Sequence, residues 1–323
     1  MPESVELVAQ VNAWAKINLD LRILAREDSG YHQLETIFQR IALSDAIDVR
    51  VRPGAGITLA CAPALDVPEE QNLAWRAAAI YRHAASWPAA DQRIVIHLEK
   101  RIPTGAGLGG GSADAGAVLR ALNALNPEPL ERAALLTLAA SVGADVPFLT
   151  TESVRALAWG RGERLLDLEP LPERLVRLAL FRDGVNTASA YRELATARAD
   201  GRIAPVGSGL LDRHMLGSWS DLQRRARNDF EVPVFAMRTD IAAVHASMMA
   251  VEPSALVRMS GSGASVFAIT NMHADEFIAA ARAWPGDGSV TLDLAVTLET
   301  VPPVQILSGV SGFRYPSPRS PIV

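Results

Sequence analysis

One short segment constrains the fold of this chain more than any other part of the sequence. Five glycines fall within seven positions, 105–111, inside the run PTGAGLGGGSAD at residues 103–114. Residues 93–98 before it alternate in the manner of a strand, and apolar residues at 118, 119, 122 and 125 recur at helical spacing. Glycines allow a backbone to approach a ligand closely, and the unpaired N–H groups at a helix N-terminus attract anions. The segment therefore predicts a phosphate-binding loop between a strand and a helix.

Two other glycine motifs fit this segment less well. Gly105, Gly107 and Gly110 match a dinucleotide fingerprint. That fingerprint needs an acidic residue about 20 positions on, at the end of the next strand, whereas Glu128 lies in a turn between two helical patterns. A Walker A loop needs a lysine where this chain has Gly111. A flexible surface turn is the remaining alternative, and it would order a glycine-rich segment at an entropic cost without any gain.

Composition indicates an ordinary globular protein. A length of 323 residues suggests about two domains, and a net charge of −5 argues against a general nucleic-acid or membrane-surface partner. The sequence shows neither a signal-peptide pattern nor an apolar run long enough for a membrane span. Cys61 is the only cysteine, which excludes an intrachain disulfide and a multi-cysteine metal site. These features are typical of a cytoplasmic protein, and they leave open whether it is a monomer or a homodimer.

The use of basic residues is uneven. Of 31 lysines and arginines, only Lys16 and Lys100 are lysine. Codon preference accounts for the many arginines but not for the two exceptions. Lysine is a compact point charge, whereas arginine is a planar fork, so a site that requires one small cation favours lysine. We expect such a role for Lys16 rather than for Lys100, which stands beside Arg101 at a strand end.

Periodicity predicts an α+β chain in two unequal halves. We expect an N-terminal domain at 1–152, a C-terminal domain at 153–301 and a poorly ordered tail at 302–323, which carries five prolines. Strands are predicted at 15–24, 37–51, 93–98, 256–259, 266–269 and 292–297. Helices are predicted at 73–84, 130–142, 189–199, 233–250 and 274–284.

The run from Pro103 to Ser112 resembles the phosphate loop of the GHMP small-molecule kinases. Four further segments resemble the same family in the same order: AKINL at 15–19, GYHQLET at 30–36, GADVPF at 143–148 and MSGSGASVF at 259–267. The resemblance extends from about Asn12 to about Ile269. It implies a GHMP kinase fold, with an N-terminal α/β domain like the second domain of ribosomal protein S5, a C-terminal ferredoxin-like domain and the site in the cleft between them.

The resemblance also implies an activity: ATP-dependent phosphorylation of a small-molecule alcohol. The Gly-Gly-Gly-Ser form of the loop is similar to the branch of the family whose acceptor carries a cytidyl diphosphate, in the methylerythritol phosphate route to isoprenoid precursors. A homoserine- or mevalonate-type kinase and a non-catalytic nucleotide-binding relative are the alternatives. The resemblance assigns ATP binding to ten residues: Pro103, Gly105, Ala106, Gly107, Leu108, Gly109, Gly110, Gly111, Ser112 and Ala113.

Catalysis is expected from two residues on other segments. Asp145 matches the catalytic aspartate of the family, which would accept or orient the proton of the acceptor hydroxyl. Without that context, an aspartate here reads as a turn or helix cap. Lys16 would lie beside Asp145 and stabilise charge that develops during transfer, and Asn18 would contact the substrate nearby.

The family recognises cytosine with an aromatic clamp, and three residues match it. Tyr31 would stack on the face of the base, His32 would bond its edge, and Tyr191 would supply the opposing ring. The alternative for the first two is a pair of surface residues in a turn.

The second glycine segment and the metal are less constrained. Ser260, Gly261, Ser262 and Gly263 form a loop that either faces phosphate or simply turns the chain between strands. Mg²⁺ is expected with ATP. No metal ligand is assigned, because glycines stand where several relatives carry a serine. Ala113 also replaces a serine that is frequent in this branch.

Overall fold

The computed structural model describes residues 6–28, 30–203, 216–270 and 289–308. Within these ranges the strands form two sheets, each covered by helices. The strands are β1 (Leu7–Arg26), β2 (His32–Pro53), β3 (Ile57–Ala62), β4 (Gln92–Glu99), β5 (Arg155–Gly160), β6 (Arg164–Asp167), β7 (Leu175–Phe181), β8 (Leu256–Met259), β9 (Val266–Thr270), β10 (Val290–Val296) and β11 (Gln305–Ser308). The α-helices are α1 (Leu73–Ala85), α2 (Gly110–Leu125), α3 (Arg132–Val142), α4 (Val146–Thr150), α5 (Thr187–Ala199), α6 (Trp219–Arg225), α7 (Glu231–Met237) and α8 (Thr239–Val251).

Strand β1 contributes to both the core and the site. Its apolar side chains at Ala15, Ile17 and Leu19 are fully buried in the main core. Lys16 and Asn18 alternate with them and are also buried. Because successive side chains of a strand point to opposite faces, one face of β1 builds the core while the other carries polar groups. Bulges between residues 14 and 16 and between 18 and 20 interrupt the pairing with β2, and bulges of this kind re-aim side chains next to sites.

The first sheet is built around β1 and β2. Its strand order is β11-β1-β2-β4-β3, with β5 also paired to β2 and β6 paired to β5. Strand β2 pairs with β1 and also with two further strands. Its residues 46–53 pair with β4, and its residues 34–39 pair with β5. The stretch between these halves carries two buried charged side chains, Arg40 and Asp45.

The second sheet has the order β10-β7-β9-β8, and all of its pairs are antiparallel. Numbered along the chain, its strands therefore lie in the order 4-1-3-2. Helices α5 to α8 separate its first two strands, and a second hydrophobic cluster packs beneath it around Val234, Met259 and Val266. This is the ferredoxin-like arrangement that the resemblance implied.

Sheet membership differs from the division predicted at residue 153. Strands β5 and β6 belong to the first sheet, which therefore continues to Asp167. Part of the tail predicted to be poorly ordered is instead a strand, because β11 pairs with β1 at the edge of the sheet. Both differences come from pairing between segments that are distant in sequence, which local composition does not show. Residues 309–323 lie outside the described ranges, and the two-domain division remains a prediction.

Most predicted elements are confirmed, although β1 begins at Leu7 rather than at residue 15 and β2 at His32 rather than at residue 37. One predicted helix is divided. The single helix expected over 233–250 is two helices, α7 and α8, because Arg238 leaves the helical conformation at φ −128° and ψ 81°. Its guanidinium there pairs with Asp240 at 2.6 Å and donates to the carbonyl of Asp183. The helix predicted over 274–284 lies outside the described residues. None of the helices described is long and apolar enough to cross a membrane.

Candidate active site

The glycine loop connects β4 to α2 as predicted. Three of its glycines adopt left-handed φ angles: Gly105 (+73°), Gly107 (+77°) and Gly109 (+72°). Gly109 immediately precedes α2, and Gly110, Gly111 and Ser112 begin that helix. Their N–H groups have no helical carbonyl four residues earlier and are therefore available to an anion.

A cavity of 440 Å³ runs along this loop. Eight of the ten residues predicted to bind ATP line it: Pro103, Gly105, Ala106, Gly107, Gly109, Gly110, Gly111 and Ser112. Leu108 and Ala113 are instead 1% exposed and pack in the core, so the side chain of Ala113 adds nothing to a ligand surface. Asn72, which caps α1 by accepting from the N–H of Ala74, also lines this cavity.

The second glycine segment packs directly on the first. The hydroxyl of Ser260 donates to the carbonyl of Gly107 at 2.9 Å, and the N–H of Ser265 donates to the carbonyl of Ala106 at 3.1 Å. A Cβ on Gly107 would lie only 2.3 Å from the carbonyl oxygen of Ser260. The segment also turns the chain, since the N–H of Gly263 donates to the carbonyl of Ser260. These contacts brace the glycine loop from the second sheet.

The remaining members of this segment contact its surroundings. The Ser262 and Thr187 hydroxyls lie 2.9 Å apart, and the carbonyl of Gly261 accepts from the Asn228 amide at 2.8 Å. A direct role for residues 260–263 in phosphate binding remains a prediction.

Lys16 joins the glycine loop to the predicted catalytic carboxylate. Its ammonium donates to the side chain of Asn18 at 2.7 Å and to the carbonyl of Gly107 at 3.1 Å. The same ammonium lies 3.3 Å from Oδ2 of Asp145. Asn18 in turn donates to the hydroxyl of Thr36 at 2.8 Å. The sequence-predicted residues Lys16, Asn18 and Asp145 therefore form one hydrogen-bonded group beside the loop.

Asp145 stands at the start of α4, where it is the residue before the first helical position. Its side chain makes no capping hydrogen bond and remains 32% exposed, so the alternative role as a cap is not supported. Arg40, which the sequence analysis missed, holds this helix. Its guanidinium donates to the carbonyls of Phe148 and Thr151 at 2.8 Å and of Ser153 at 2.9 Å. The sequence feature that could have identified Arg40 is its position as a charged residue inside the mainly apolar run IFQRIAL.

The aromatic residues meet in a different arrangement from the predicted clamp. The rings of His32 and Tyr191 stack on each other, with centroids 4.2 Å apart and planes inclined by 18°. Phe230 meets Tyr191 edge-on. Tyr31 is 60% exposed, and the guanidinium of Arg161 lies over its ring at 4.0 Å. All three predicted residues line one cavity, but one face of Tyr191 is covered by His32 rather than turned toward Tyr31.

Burial sets the protonation of two of these rings. It lowers the pKa of His32, with Arg26 and Arg198 adding to the shift, so the imidazole is neutral at pH 7. A neutral imidazole offers one donor and one acceptor. Burial, reinforced by the charge of Asp145, raises the pKa of Tyr191 to about 12.

The cavity around these rings measures 930 Å³ and is strongly basic, which the sequence analysis did not predict. Four arginines line it, from four separate segments: Arg26, Arg76, Arg161 and Arg192. Among the described residues that line it, Glu163 is the only carboxylate, and Glu27 pairs with Arg161 at 2.6 Å. Because the four segments meet only in the folded chain, no sequence spacing reveals this cluster.

The chain is similar to proteins of known family. The family model for the N-terminal domain of GHMP kinases matches residues 72–152. A 4-diphosphocytidyl-2-C-methyl-D-erythritol kinase from Solibacter usitatus is 36% identical over 263 residues, which cover 81% of each chain. A solved 4-(cytidine 5'-diphospho)-2C-methyl-D-erythritol kinase is 34% identical, with a TM-score of 0.70 over 89% of this chain and 98% of its own.

A solved homoserine kinase from Cytophaga hutchinsonii is 18% identical, with a TM-score of 0.65 over 95% of this chain and 98% of its own. At that identity the likeness shows the fold alone.

The two-sheet fold, the glycine loop at a helix N-terminus and the adjacent lysine and aspartate define an ATP-dependent small-molecule kinase of the GHMP type. Within that class, the chain belongs to the family of 4-diphosphocytidyl-2-C-methyl-D-erythritol kinases.

Proposed function

We propose that this protein transfers the γ-phosphate of ATP to the 2-hydroxyl of 4-diphosphocytidyl-2-C-methyl-D-erythritol, in the methylerythritol phosphate route. The observation that carries the proposal is the group formed by Lys16, Asn18 and Asp145 at the edge of the glycine loop. It joins a candidate phosphate site to a partly exposed carboxylate, which is the pairing that phosphoryl transfer requires.

The chemistry follows from the contacts of each group. The N–H groups at the start of α2 would hold ATP phosphates, and Asp145 would accept or orient the proton of the attacking hydroxyl. Lys16 is held by two neutral acceptors, Asn18 and the carbonyl of Gly107, so its cation stays fixed beside the reacting groups. A cation preorganised in this way stabilises charge that develops in the transition state.

The basic cavity supports the cytidyl diphosphate acceptor over its rivals. One arginine guanidinium can donate two parallel hydrogen bonds to the oxygens of a phosphate. Four arginines line the cavity that contains Tyr31, His32 and Tyr191. Homoserine and mevalonate carry neither a diphosphate nor a base for these groups. We propose that Tyr31 and Tyr191 contact the cytosine face, that His32 bonds its edge and that the arginines face the diphosphate.

Mg²⁺ completes the proposed reaction. In kinase sites it is bound through one or two carboxylates, substrate phosphates and water, and when bound it neutralises charge on the β- and γ-phosphates. Among the residues described, no group of three or more His, Cys, Asp or Glu side chains is placed to hold a metal ion, and we assign no protein ligand. We further propose a cytoplasmic location.

The test compares kcat/KM for three acceptors with purified protein, ATP and Mg²⁺. Transfer to 4-diphosphocytidyl-2-C-methyl-D-erythritol should exceed transfer to homoserine or mevalonate by at least about 10³-fold, because a site built for polar groups rejects acceptors that lack them. Equal or greater transfer to either rival would contradict the acceptor assignment.

The Arg161→Met variant tests the basic cavity, and Arg164→Met on the neighbouring exposed surface is its control. The first should raise the acceptor KM at least about tenfold, the low end for a charge-assisted hydrogen bond, whereas the second should leave it unchanged.

A further inference from the structure

The second lysine of the chain, Lys100, is largely buried, and together with Asp114 it lines the cavity that runs along the glycine loop. Its side chain is 8% exposed, and its ammonium contacts two buried carboxylates. Asp45 on β2 lies 2.5 Å away, and Asp114 in the first turns of α2 lies 2.8 Å away. None of these three groups takes part in the proposed chemistry.

Each of the two carboxylates is associated with one end of the glycine loop. Asp45 accepts the backbone N–H groups of Arg101 and Ile102, at 2.5 and 2.8 Å, where the chain leaves β4. Asp114 belongs to the helix that begins where the loop ends. Lys100 therefore links the start of the loop to its end through one ammonium group.

We propose that Lys100, with Asp45 and Asp114, is a positioning residue for ATP, because this bridge sets the separation of the two loop ends and so the orientation of the N–H groups at the start of α2. Loop flexibility gives this role its physical basis. Three glycines with left-handed φ angles allow many conformations, so a loop tied only by its own residues would lose entropy on binding phosphate. The bridge supplies that order in advance.

Burial, reinforced by the charge of Asp45, raises the pKa of Asp114 to about 8 against the opposing charge of Lys100. An oxygen of Asp114 can accept from the ammonium in either protonation state. Burial on its own lowers the pKa of Lys100, but Asp114 and Asp45 outweigh it and raise that pKa, so the ammonium stays charged. Lysine also fits the space: a Cβ on Gly110 would lie 3.3 Å from the ammonium, which leaves little room for a wider guanidinium. This accounts for a second lysine in a chain with 29 arginines.

The experiment removes the Asp114 arm of the bridge. Asp114→Ala leaves Lys100 paired with Asp45, so no buried charge is stranded, whereas Asp114→Asn retains an oxygen that can accept from Lys100. Hydrogen exchange of residues 101–113 is measured without nucleotide, and binding of AMP-PNP with Mg²⁺ is measured by calorimetry. Arg101→Met, which removes the adjacent exposed cation, is the control. The inference rests on the proposed function only for the identity of the nucleotide, and neither readout requires turnover.

We expect Asp114→Ala to accelerate exchange at both ends of the loop and to weaken AMP-PNP binding at least tenfold. Asp114→Asn and Arg101→Met should stay within threefold of wild type in both readouts. Unchanged loop exchange in a folded Asp114→Ala protein would overturn the proposal, since a residue that merely touched ATP would alter binding alone.

A second variant covers the case in which Asp114→Ala does not fold. Lys100→Met with Asp114→Asn removes the bridge from its other end, while Asp45 keeps its two backbone N–H partners. It should reproduce both effects, and wild-type exchange together with wild-type AMP-PNP affinity in this double variant would also overturn the proposal. If the wild-type protein transfers no phosphate to the acceptor, the proposed function fails while these two readouts still decide the role of Lys100.

Discussion

The ammonium of Lys16 lies 3.3 Å from the carboxylate of Asp145. The two side chains come from the first strand and from the start of α4, and they differ in exposure: that of Lys16 is 4% exposed and that of Asp145 is 32% exposed. The cation is thus fixed within the protein, while the carboxylate remains open to a substrate. This asymmetry supports the proposal that Lys16 stabilises developing charge and that Asp145 handles the proton.

Replacement of Lys16 should affect turnover more than binding. We expect Lys16→Met to lower kcat by about 10²-fold to 10³-fold, the range for loss of one preorganised electrostatic partner. Lys16→Arg should also have a low kcat, because the loop leaves little room for the wider guanidinium. Gly109 packs so closely that a Cβ placed on it would lie 3.0 Å from Cε of Lys16. Steady-state kinetics with thermal melting as a folding control test this. More than half of the wild-type kcat in Lys16→Arg would show that charge alone suffices.

Gly105 and Gly107 form a matched pair for testing how the second loop braces the first. Both have left-handed φ angles, so an alanine at either position should cost about 1 kcal/mol or more in backbone strain. At Gly107 the added Cβ would also collide with Ser260, whereas at Gly105 nothing lies within 4 Å. Gly107→Ala should therefore lower the free energy of unfolding by about 1–3 kcal/mol more than Gly105→Ala, as measured by urea denaturation. Equal losses in the two variants would contradict the close packing of the loops.

The lowered pKa of His32 gives a pH dependence with a definite sign. At pH 7 and above the ring is neutral, and one of its nitrogens can accept a hydrogen bond from the substrate. Protonation of the ring removes this hydrogen-bond acceptor. The acceptor KM should be constant above pH 7 and should rise as the pH falls below the ordinary histidine value of 6.5. The ATP KM over the same range is the internal control, and His32→Gln should remove the dependence. A KM that falls with decreasing pH would imply that the charged imidazole binds.

The contribution of Tyr191 should come from its ring rather than from its hydroxyl. Its pKa of about 12 keeps the phenol protonated throughout the working range, so no inflection in the pH profile should arise from it. Tyr191→Phe should change the acceptor KM less than threefold. Tyr191→Ala should raise it about tenfold, within the 1–3 kcal/mol typical of base stacking. An equal effect of the two substitutions would assign the role to the hydroxyl.

The sequence predicted local features well because they depend on neighbouring residues. The strand, the glycine loop and the start of α2 follow from spacing alone. The apolar alternation from residue 15 predicted the strand on which Lys16 and Asn18 lie. The resemblance identified Asp145, which the structure brings beside Lys16.

Features that depend on distant pairing were not predicted. Residues 155–160 read as part of a second half, yet they pair with β2. The four arginines of the basic cavity come from separate segments, and the hold of Arg40 on α4 joins residues more than a hundred positions apart. The stacking of His32 on Tyr191 likewise depends on how the two sheets meet. No local pattern encodes these contacts.

The central claim is that Asp145, held beside Lys16 and the glycine loop, enables phosphate transfer to the cytidyl acceptor. The most direct test is a single-turnover, rapid-quench measurement with [γ-³²P]ATP and 4-diphosphocytidyl-2-C-methyl-D-erythritol, comparing the wild-type protein with Asp145→Asn. The wild-type protein should move the label to the acceptor. The variant should bind both substrates with affinities within about threefold of wild type but transfer label at least about 10²-fold more slowly, as expected for loss of a positioned proton acceptor. Transfer at the wild-type rate in Asp145→Asn would contradict this account.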